Sequence, residues 1–339
     1  MTARSRLAFT GLAAFLALSV ALAALEVGLR LRGHQPFRAF GVQSREPVTF
    51  EADPARGWRP KPGAYIVPGY AAGQPDIPFT LLADGSRATS RDNSDGRDAV
   101  AFVGCWLTQG FAVPDDQTFA WRIQQHLPSI HVRNYGCGAY STYQALQTLE
   151  QILAGSQPPR MVVYGLMEEH EGRNVATPDW LLILEIFARA GMDSAPYCTL
   201  DDQGQLVRHP PLRHPHFPLR TSSALSAYLE LQYAKASGAA RAAQARPVTE
   251  RLLLEMSRLA RSRGVRFAVV LLHGAATSRL HYLAFLTRND VDVLDCGFRI
   301  RPQLQVPGEG HPNGIANARW ARCLEGFIAD AMNVPLPDR

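Results

Sequence analysis

Ala99-Val100-Ala101-Phe102-Val103-Gly104-Cys105-Trp106-Leu107-Thr108-Gln109-Gly110 is the stretch that decides the fold. It opens with apolar residues that do not alternate with polar ones, the pattern of a strand buried on both faces. The run ends at Gly104 and gives way to a loop, after which residues 118–126 read as a helix. The same unit recurs downstream. Residues 130–133 form a second short strand, followed by Asn134-Tyr135-Gly136. Ser141 with Gln144 is a capping-box pattern and predicts a helix to about Leu153. Residues 161–164 predict a third strand, ended by Gly165. Residues 248–261 predict an amphipathic helix that Gly264 is placed to stop, and residues 267–272 and 291–294 read as two further strands. A final helix is expected over residues 314–331. Strands alternating with helices imply an α/β class fold, a parallel sheet covered on both faces. Ligands in such folds sit at the carboxyl ends of the strands.

Upstream of this core, residues 34–98 are rich in Pro, Gly and Asp and read as a linker with a small β elaboration around 64–67 and 79–82. Residues 7–25 are uncharged and follow Arg4 and Arg6. At helical rise they span roughly 28 Å, near the ~30 Å of a bilayer core. Basic residues before the run favour an N-terminus left inside and a remainder exported, so the membrane is an expected partner. Ala21-Leu22-Ala23 offers a signal-peptidase reading, but Val27-Gly28-Leu29 extends the apolar run, which favours a retained anchor. Residues 172–247 interrupt the alternation. Within them 178–190 is strongly apolar and helical, Asp201-Asp202-Gln203-Gly204 reads as a turn, and 223–242 as a helix. The expected organisation is an anchor or signal segment over 1–33, a linker over 34–98, and one domain over 99–332. The 172–247 insertion of that domain is expected to cap the strand ends.

The composition, 46% hydrophobic and 19% charged, excludes a disordered chain. The formal net charge of +5 has no dense basic run interleaved with aromatics, so no nucleic-acid partner is expected. Five cysteines leave at least one outside any intrachain pairing, and their spacing matches no zinc motif.

Four loop segments, set side by side, carry chemistry. They are Gly104-Cys105-Trp106-Leu107-Thr108-Gln109-Gly110-Phe111-Ala112-Val113-Pro114-Asp115-Asp116-Gln117-Thr118-Phe119, Asn134-Tyr135-Gly136-Cys137-Gly138-Ala139-Tyr140-Ser141-Thr142, Gly165-Leu166-Met167-Glu168-Glu169-His170-Glu171-Gly172-Arg173-Asn174, and Gly308-Glu309-Gly310-His311-Pro312-Asn313-Gly314. In order and spacing this resembles the SGNH/GDSL hydrolase family in its membrane-anchored form, over roughly residues 55–330. The resemblance implies a three-layer α/β/α sandwich with a flavodoxin-like parallel sheet. It also implies ester hydrolysis or acyl transfer by a Ser–His–Asp triad, with an acylated glycan or ester as ligand and no cofactor.

The chain departs from that pattern where the chemistry lies. Cys105 stands in the family's Asp position and Trp106 in the nucleophile position, and an indole forms no acyl-enzyme. Gly104 precedes them and lines the same pocket. The second-block glycine aligns with Ala139, and the third-block asparagine of the oxyanion hole with Glu169. Gly308 occupies the position of the orienting Asp, with Glu309 one residue nearer to His311, the family's His. The expectation is loss of the serine mechanism and retention of acyl or glycan binding. Other readings of the same residues are a site rearranged around His311 with Cys105 as nucleophile, a Cys105–Cys137 disulfide closing the site, and a metal or redox centre on Cys105, Cys137, Glu169 and His170. Glu168, Glu169, His170 and Glu171 read more simply as a polar network with Arg173. His209, His214 and His216 read as part of a solvated, Pro-rich loop. Trp106 either fills the emptied pocket or forms a stacking platform for a sugar.

Overall fold

The computed structural model describes residues 3–38, 47–92 and 99–336. Residues 39–46 and 93–98 of the expected linker lie outside the described residues. Contacts divide the chain into two compact units, Met1–Val42 with His214–Ala239, and Gln43–Arg213 with Ala240–Arg339.

The smaller unit opens with α1 (Ala3–Leu31), a continuous helix that runs without a break through Ala21-Leu22-Ala23. Its segment Phe9–Leu31 has a mean hydropathy of 2.2, with none of it buried, and is long and apolar enough to cross a membrane.

The larger unit begins with two antiparallel pairs. β1 (Phe50–Asp53) pairs with β2 (Gly57–Pro60), and β3 (Gly63–Val67) with β4 (Ile77–Leu81). The α/β core follows as β5 (Ala99–Gly104), α2 (Trp106–Gln109), α3 (Phe119–His126), β6 (His131–Gly136), α4 (Thr142–Ala154), β7 (Met161–Met167), α5 (His170–Asn174) and α6 (Pro178–Leu184). A hairpin of β8 (Ala195–Leu200) and β9 (Leu206–Leu212) precedes α7 (Ala224–Ala242) and α8 (Ala245–Ser262). The chain closes with β10 (Arg266–His273), α9 (Ala276–Arg288), β11 (Asp292–Asp295) and α10 (Gly314–Met332).

The central sheet has the order β11-β10-β7-β5-β6, and every neighbouring pair is parallel. Numbered along the chain, that is 2-1-3-4-5, the flavodoxin-like doubly wound order. The two faces of each inner strand supply two separate cores. Val100, Phe102, Val163, Ala268 and Val270 pack with Phe119 and Ile123 of α3 and Trp320, Leu324 and Ile328 of α10. Ala101, Val103, Val162, Tyr164, Val269 and Leu271 pack with Leu146 and Leu149 of α4 and Leu252, Leu253 and Met256 of α8. Burial of both faces is why these strands are apolar at every position. The expected three-layer α/β/α sandwich is therefore the architecture observed.

Several local expectations are corrected. Gly165 does not end the third strand. β7 continues to Met167, and Gly165 is needed because a Cβ there would overlap Thr108 Oγ1. The helix expected over 178–190 is α-helical only to Leu184 and tightens into a 3₁₀ turn through Ala190. His209-Pro210-Pro211 is not loop but part of β9, where the prolines fit a two-stranded ribbon. That hairpin buries Cys198 in the α4–α8 core, while Ala195, with Tyr197 and Leu212, packs into the cluster that holds Trp106. The helix α9 has no counterpart in the sequence reading, because it buries only Ser278, Tyr282 and Leu286 and its apolar stripe is correspondingly faint.

Candidate functional site

The site is built where the first two strand-end loops lock together. β5 ends in Gly104, at φ +155°, where a Cβ would overlap Thr108 Oγ1. The chain then turns into α2, a single turn closed by Gly110 in the left-handed conformation. Asn134 Nδ2 donates to the Thr108 carbonyl at 2.9 Å, and Asn134 Oδ1 accepts from the Gly136 N–H at 3.0 Å. Gly136 in turn lies so close to the Thr108–Gln109 backbone that no side chain fits.

Trp106, the first residue of α2, is 8% exposed. Its indole lies directly over Gly138, whose Cβ, if present, would overlap the ring. It packs edge-on against Phe111 at 4.4 Å between centroids and Phe50 at 6.0 Å, and lies tilted to Phe187 at 5.9 Å. The His311 ring is 5.7 Å from Trp106 and 5.1 Å from Phe111. Beneath Gly138, Trp58 Nε1 donates to its carbonyl at 2.9 Å, and the Tyr140 hydroxyl donates to the Trp58 carbonyl at 2.9 Å. Trp58 and Tyr140 are fully buried partners that the sequence reading missed. Ala139 follows in the left-handed region, at φ +64°, and is fully buried.

His311 has a carboxylate partner. Glu309 Oε1 lies 2.5 Å from His311 Nδ1, and Glu309 Oε2 accepts from the His311 backbone N–H at 2.6 Å. The left-handed turns at Gly308 and Gly310 bring the two residues face to face. The His311 side chain keeps 29% of its surface exposed. Glu309, the acid next to Gly308 in the sequence, is thus the carboxylate that meets the His311 ring.

The other candidates do not join it. Cys105 is fully buried, its Sγ 2.9 Å from Met167 Sδ, and burial raises its thiol pKa, against a smaller opposing effect of Arg173. A buried, protonated thiol is a poor nucleophile. Cys105 and Cys137 are not bonded to each other. The disulfide is Cys296–Cys323, and Cys105, Cys137 and Cys198 are free and buried. Burial also raises the Cys137 thiol.

The acidic run at the third strand end fans apart. Glu168 Oε2 accepts from the Ala275 N–H at 2.7 Å, while Glu169 is half exposed, 3.9 Å from His273. Glu171 accepts from the Tyr282 hydroxyl at 2.7 Å and pairs with Arg246 at 3.2 Å. His170 turns inward, its Nδ1 2.6 Å from the Tyr164 hydroxyl. Burial, and then the Arg173 charge, hold its pKa well below the ordinary histidine value. No group of three or more His, Cys, Asp or Glu side chains converges as a metal site among the described residues. Cys105, Cys137, Glu169 and His170 are therefore not brought together as a metal site. Arg173 stays nearby as expected, but it donates to the Tyr140 carbonyl at 3.2 Å and covers Trp180 at 4.6 Å. His209 stacks on Tyr197 at 4.4 Å, with its Nε2 2.8 Å from Thr199 Oγ1. In the smaller unit His214 is buried, 3.2 Å from Glu230.

No family model and no curated protein matches this chain. Among solved structures it is similar to a member of the lipolytic G-D-S-L family from Veillonella parvula, at 12% identity and TM-score 0.40 over 68% of this chain and 98% of that one. It is also similar to a psychrotrophic esterase from Pseudoalteromonas sp., solved with monoethylphosphonate as inhibitor (9% identity, TM-score 0.39, 68% and 99% covered). A carbohydrate acetylesterase family member from Sinorhizobium meliloti is similar at 12% identity and TM-score 0.37, with 70% and 100% covered. These are likenesses of chain path. The fold assignment rests on the strand order and layers of this chain itself.

Proposed function

We propose that this protein is a membrane-tethered, esterase-like domain that has lost the serine mechanism and holds acyl or glycan material without hydrolysing it. The observation that carries the reading is the buried Trp106 indole, wedged between Gly138, Phe111 and His311 where a nucleophile would stand. Neither carbon nor the indole N–H of that side chain attacks an ester, and the neighbouring thiol of Cys105 is sealed against Met167. The partly exposed rings of His311 and Phe111 offer a hydrogen-bonding and apolar surface suited to a sugar ring or an acyl ester. The span Phe9–Leu31 supports tethering. The preceding Arg4 and Arg6, and the Cys296–Cys323 disulfide, support a domain on the exported, oxidising side.

A second reading has one observation in its favour. Glu309 holds His311 in the orientation of a general base, so water activation at a rearranged ester-hydrolase site is chemically open. One assay separates the two. Hydrolysis of p-nitrophenyl acetate is measured for the unmodified protein, His311→Ala and Trp106→Ser. The tethered-binder reading expects the first two to match buffer, and Trp106→Ser to gain slow, His311-dependent release. Turnover by the unmodified protein that His311→Ala abolishes would overturn it in favour of the second. Trp106→Ser also empties an indole-sized space, so a stability loss of about 3–5 kcal/mol is expected in urea unfolding.

A further inference from the structure

Glu26 and Arg30 are the charged side chains of the mostly apolar Phe9–Leu31 span, where a carboxylate is costly unless its charge is paired. The smaller unit pairs it fully. Ser223 Oγ donates to Glu26 at 2.8 Å, the backbone N–H groups of Ala224 and Leu225 at 2.9 and 2.7 Å, and Arg30 Nε at 2.6 Å. Glu26 thus caps the first turn of α7, satisfying N–H groups that a helix start leaves open. Arg30 adds a bond to the Ser222 carbonyl at 3.0 Å. Further along, His34 meets Tyr228 edge-on at 5.0 Å, and Arg220 covers the Phe37 ring at 3.8 Å.

These contacts set a depth. Glu26 precedes the end of the Phe9–Leu31 span by about 7 Å of helix axis. The whole span is about 34 Å long against the ~30 Å hydrocarbon core. The start of α7 is level with Glu26, and Tyr228, one turn on, is level with His34. The start of α7 and the loop before it therefore lie at the boundary between acyl chains and headgroups, and α7 rises outward from there.

That loop displays an unusual side chain. Leu219 is 71% exposed and sits at φ +63°, a conformation leucine adopts only at a cost in strain. The loop is nonetheless fixed. The Leu219 carbonyl accepts from the N–H groups of Ser222 and Ser223 at 2.9 and 2.8 Å, and the Phe217 N–H donates to the buried Glu230 at 2.6 Å. Leu229 and Tyr233, 48% and 54% exposed, follow on one face of α7 at helical spacing.

We propose that residues 217–233 form a second, monotopic membrane contact whose occupant is lipid. Leu219 enters the outer acyl layer, while Leu229 and Tyr233 lie progressively outward at headgroup level, where tyrosine is favoured. The inference rests on α1 crossing the bilayer, and it adds that the tether is a rigid helix pair seated at the surface and not a single flexible stalk.

The test uses the full chain in nanodiscs of phosphatidylethanolamine and phosphatidylglycerol. The three free native thiols are buried, so Leu219→Cys and, separately, Phe15→Cys take a nitroxide label selectively. Collision of each label with oxygen, which concentrates in lipid, is compared with collision with a water-soluble nickel chelate. The expected result is oxygen access several-fold above nickel access at both positions, with the larger ratio at 15. Nickel-dominated access at 219 with oxygen-dominated access at 15 overturns the second contact and leaves the anchor standing. Nickel-dominated access at 15 overturns both.

Discussion

Two loops of the larger unit carry carboxylates beside imidazoles and use them in opposite ways. In Gly308-Glu309-Gly310-His311 the acid and the base face each other, because two left-handed glycines fold the short segment back on itself. In Glu168-Glu169-His170-Glu171 the same residue types enter a helix, where successive side chains point about 100° apart. Each then finds a different partner, the Ala275 N–H, His273, Tyr164 and Tyr282. The first loop makes a close acid–imidazole pair at a partly open surface, and the second makes a spread-out network. Adjacency of polar residues in a chain does not make a site. The backbone conformation between them does.

This contrast can be broken or sharpened by measurement. The largest effect expected is on the structural side. His170→Ala removes a fully buried ring and one of the two partners of the Tyr164 hydroxyl, which keeps its 2.8 Å bond to Thr142 Oγ1, and should cost about 2–4 kcal/mol in urea unfolding. A loss no larger than that of an exposed residue would show that the network is not structural. Next is Asn174→Ala. Asn174 Oδ1 accepts from the Tyr143 N–H at 3.2 Å, and its Nδ2 donates to Thr142 at 3.0 Å and Thr249 at 2.8 Å. Its loss leaves buried groups unpaired, at about 1–3 kcal/mol.

The two histidines also differ in their response to acid. His170 is held neutral in the fold, whereas the unfolded chain protonates it near its ordinary value of 6.5. Its contribution to stability is therefore complete above about pH 6.5 and declines as the pH falls below it, by up to ~1.4 kcal/mol per unit. Unfolding free energy measured from pH 7 down to 5 should show this slope, and His170→Gln should flatten it. A slope unchanged by the substitution would assign the acid sensitivity elsewhere. The smallest stability effect belongs to the Glu309–His311 pair. Glu309→Gln alters a partly exposed hydrogen bond and should cost less than about 1 kcal/mol. In the Trp106→Ser background, however, the same change should lower ester release by about tenfold or more, because His311 loses its orienting partner.

The sheet was readable in the sequence because strands buried on both faces have to be apolar throughout, and Ala99–Gly104 and Arg266–His273 carry that signature nearly unbroken. The capping box at Ser141 and Gln144 was equally local and is present in the structure. The hairpin β8–β9 was obscured by the prolines of its second strand, which a two-stranded ribbon tolerates and a central strand does not. Trp58 and Tyr140 could not be paired from sequence. They stand 82 residues apart, and only the fold brings the hydroxyl of one to the carbonyl of the other.

The sequence by itself determined that the chain carries an apolar span near its N-terminus and an alternation of strands and helices that makes an α/β fold. Those conclusions depend on residue identity and on periodicities shorter than one element, which any chain displays locally. Tertiary structure alone decided that the indole is packed over Gly138 and against His311, that Glu309 and not residue 308 holds the imidazole, and that Cys296 pairs with Cys323. It also decided that Glu26 of the span caps a helix some two hundred positions later. Each of these is a contact between segments whose separation in sequence, or whose backbone turn, leaves no periodic trace. Burial and hydrogen-bond satisfaction select such contacts only once the sheet and its flanking helices have closed.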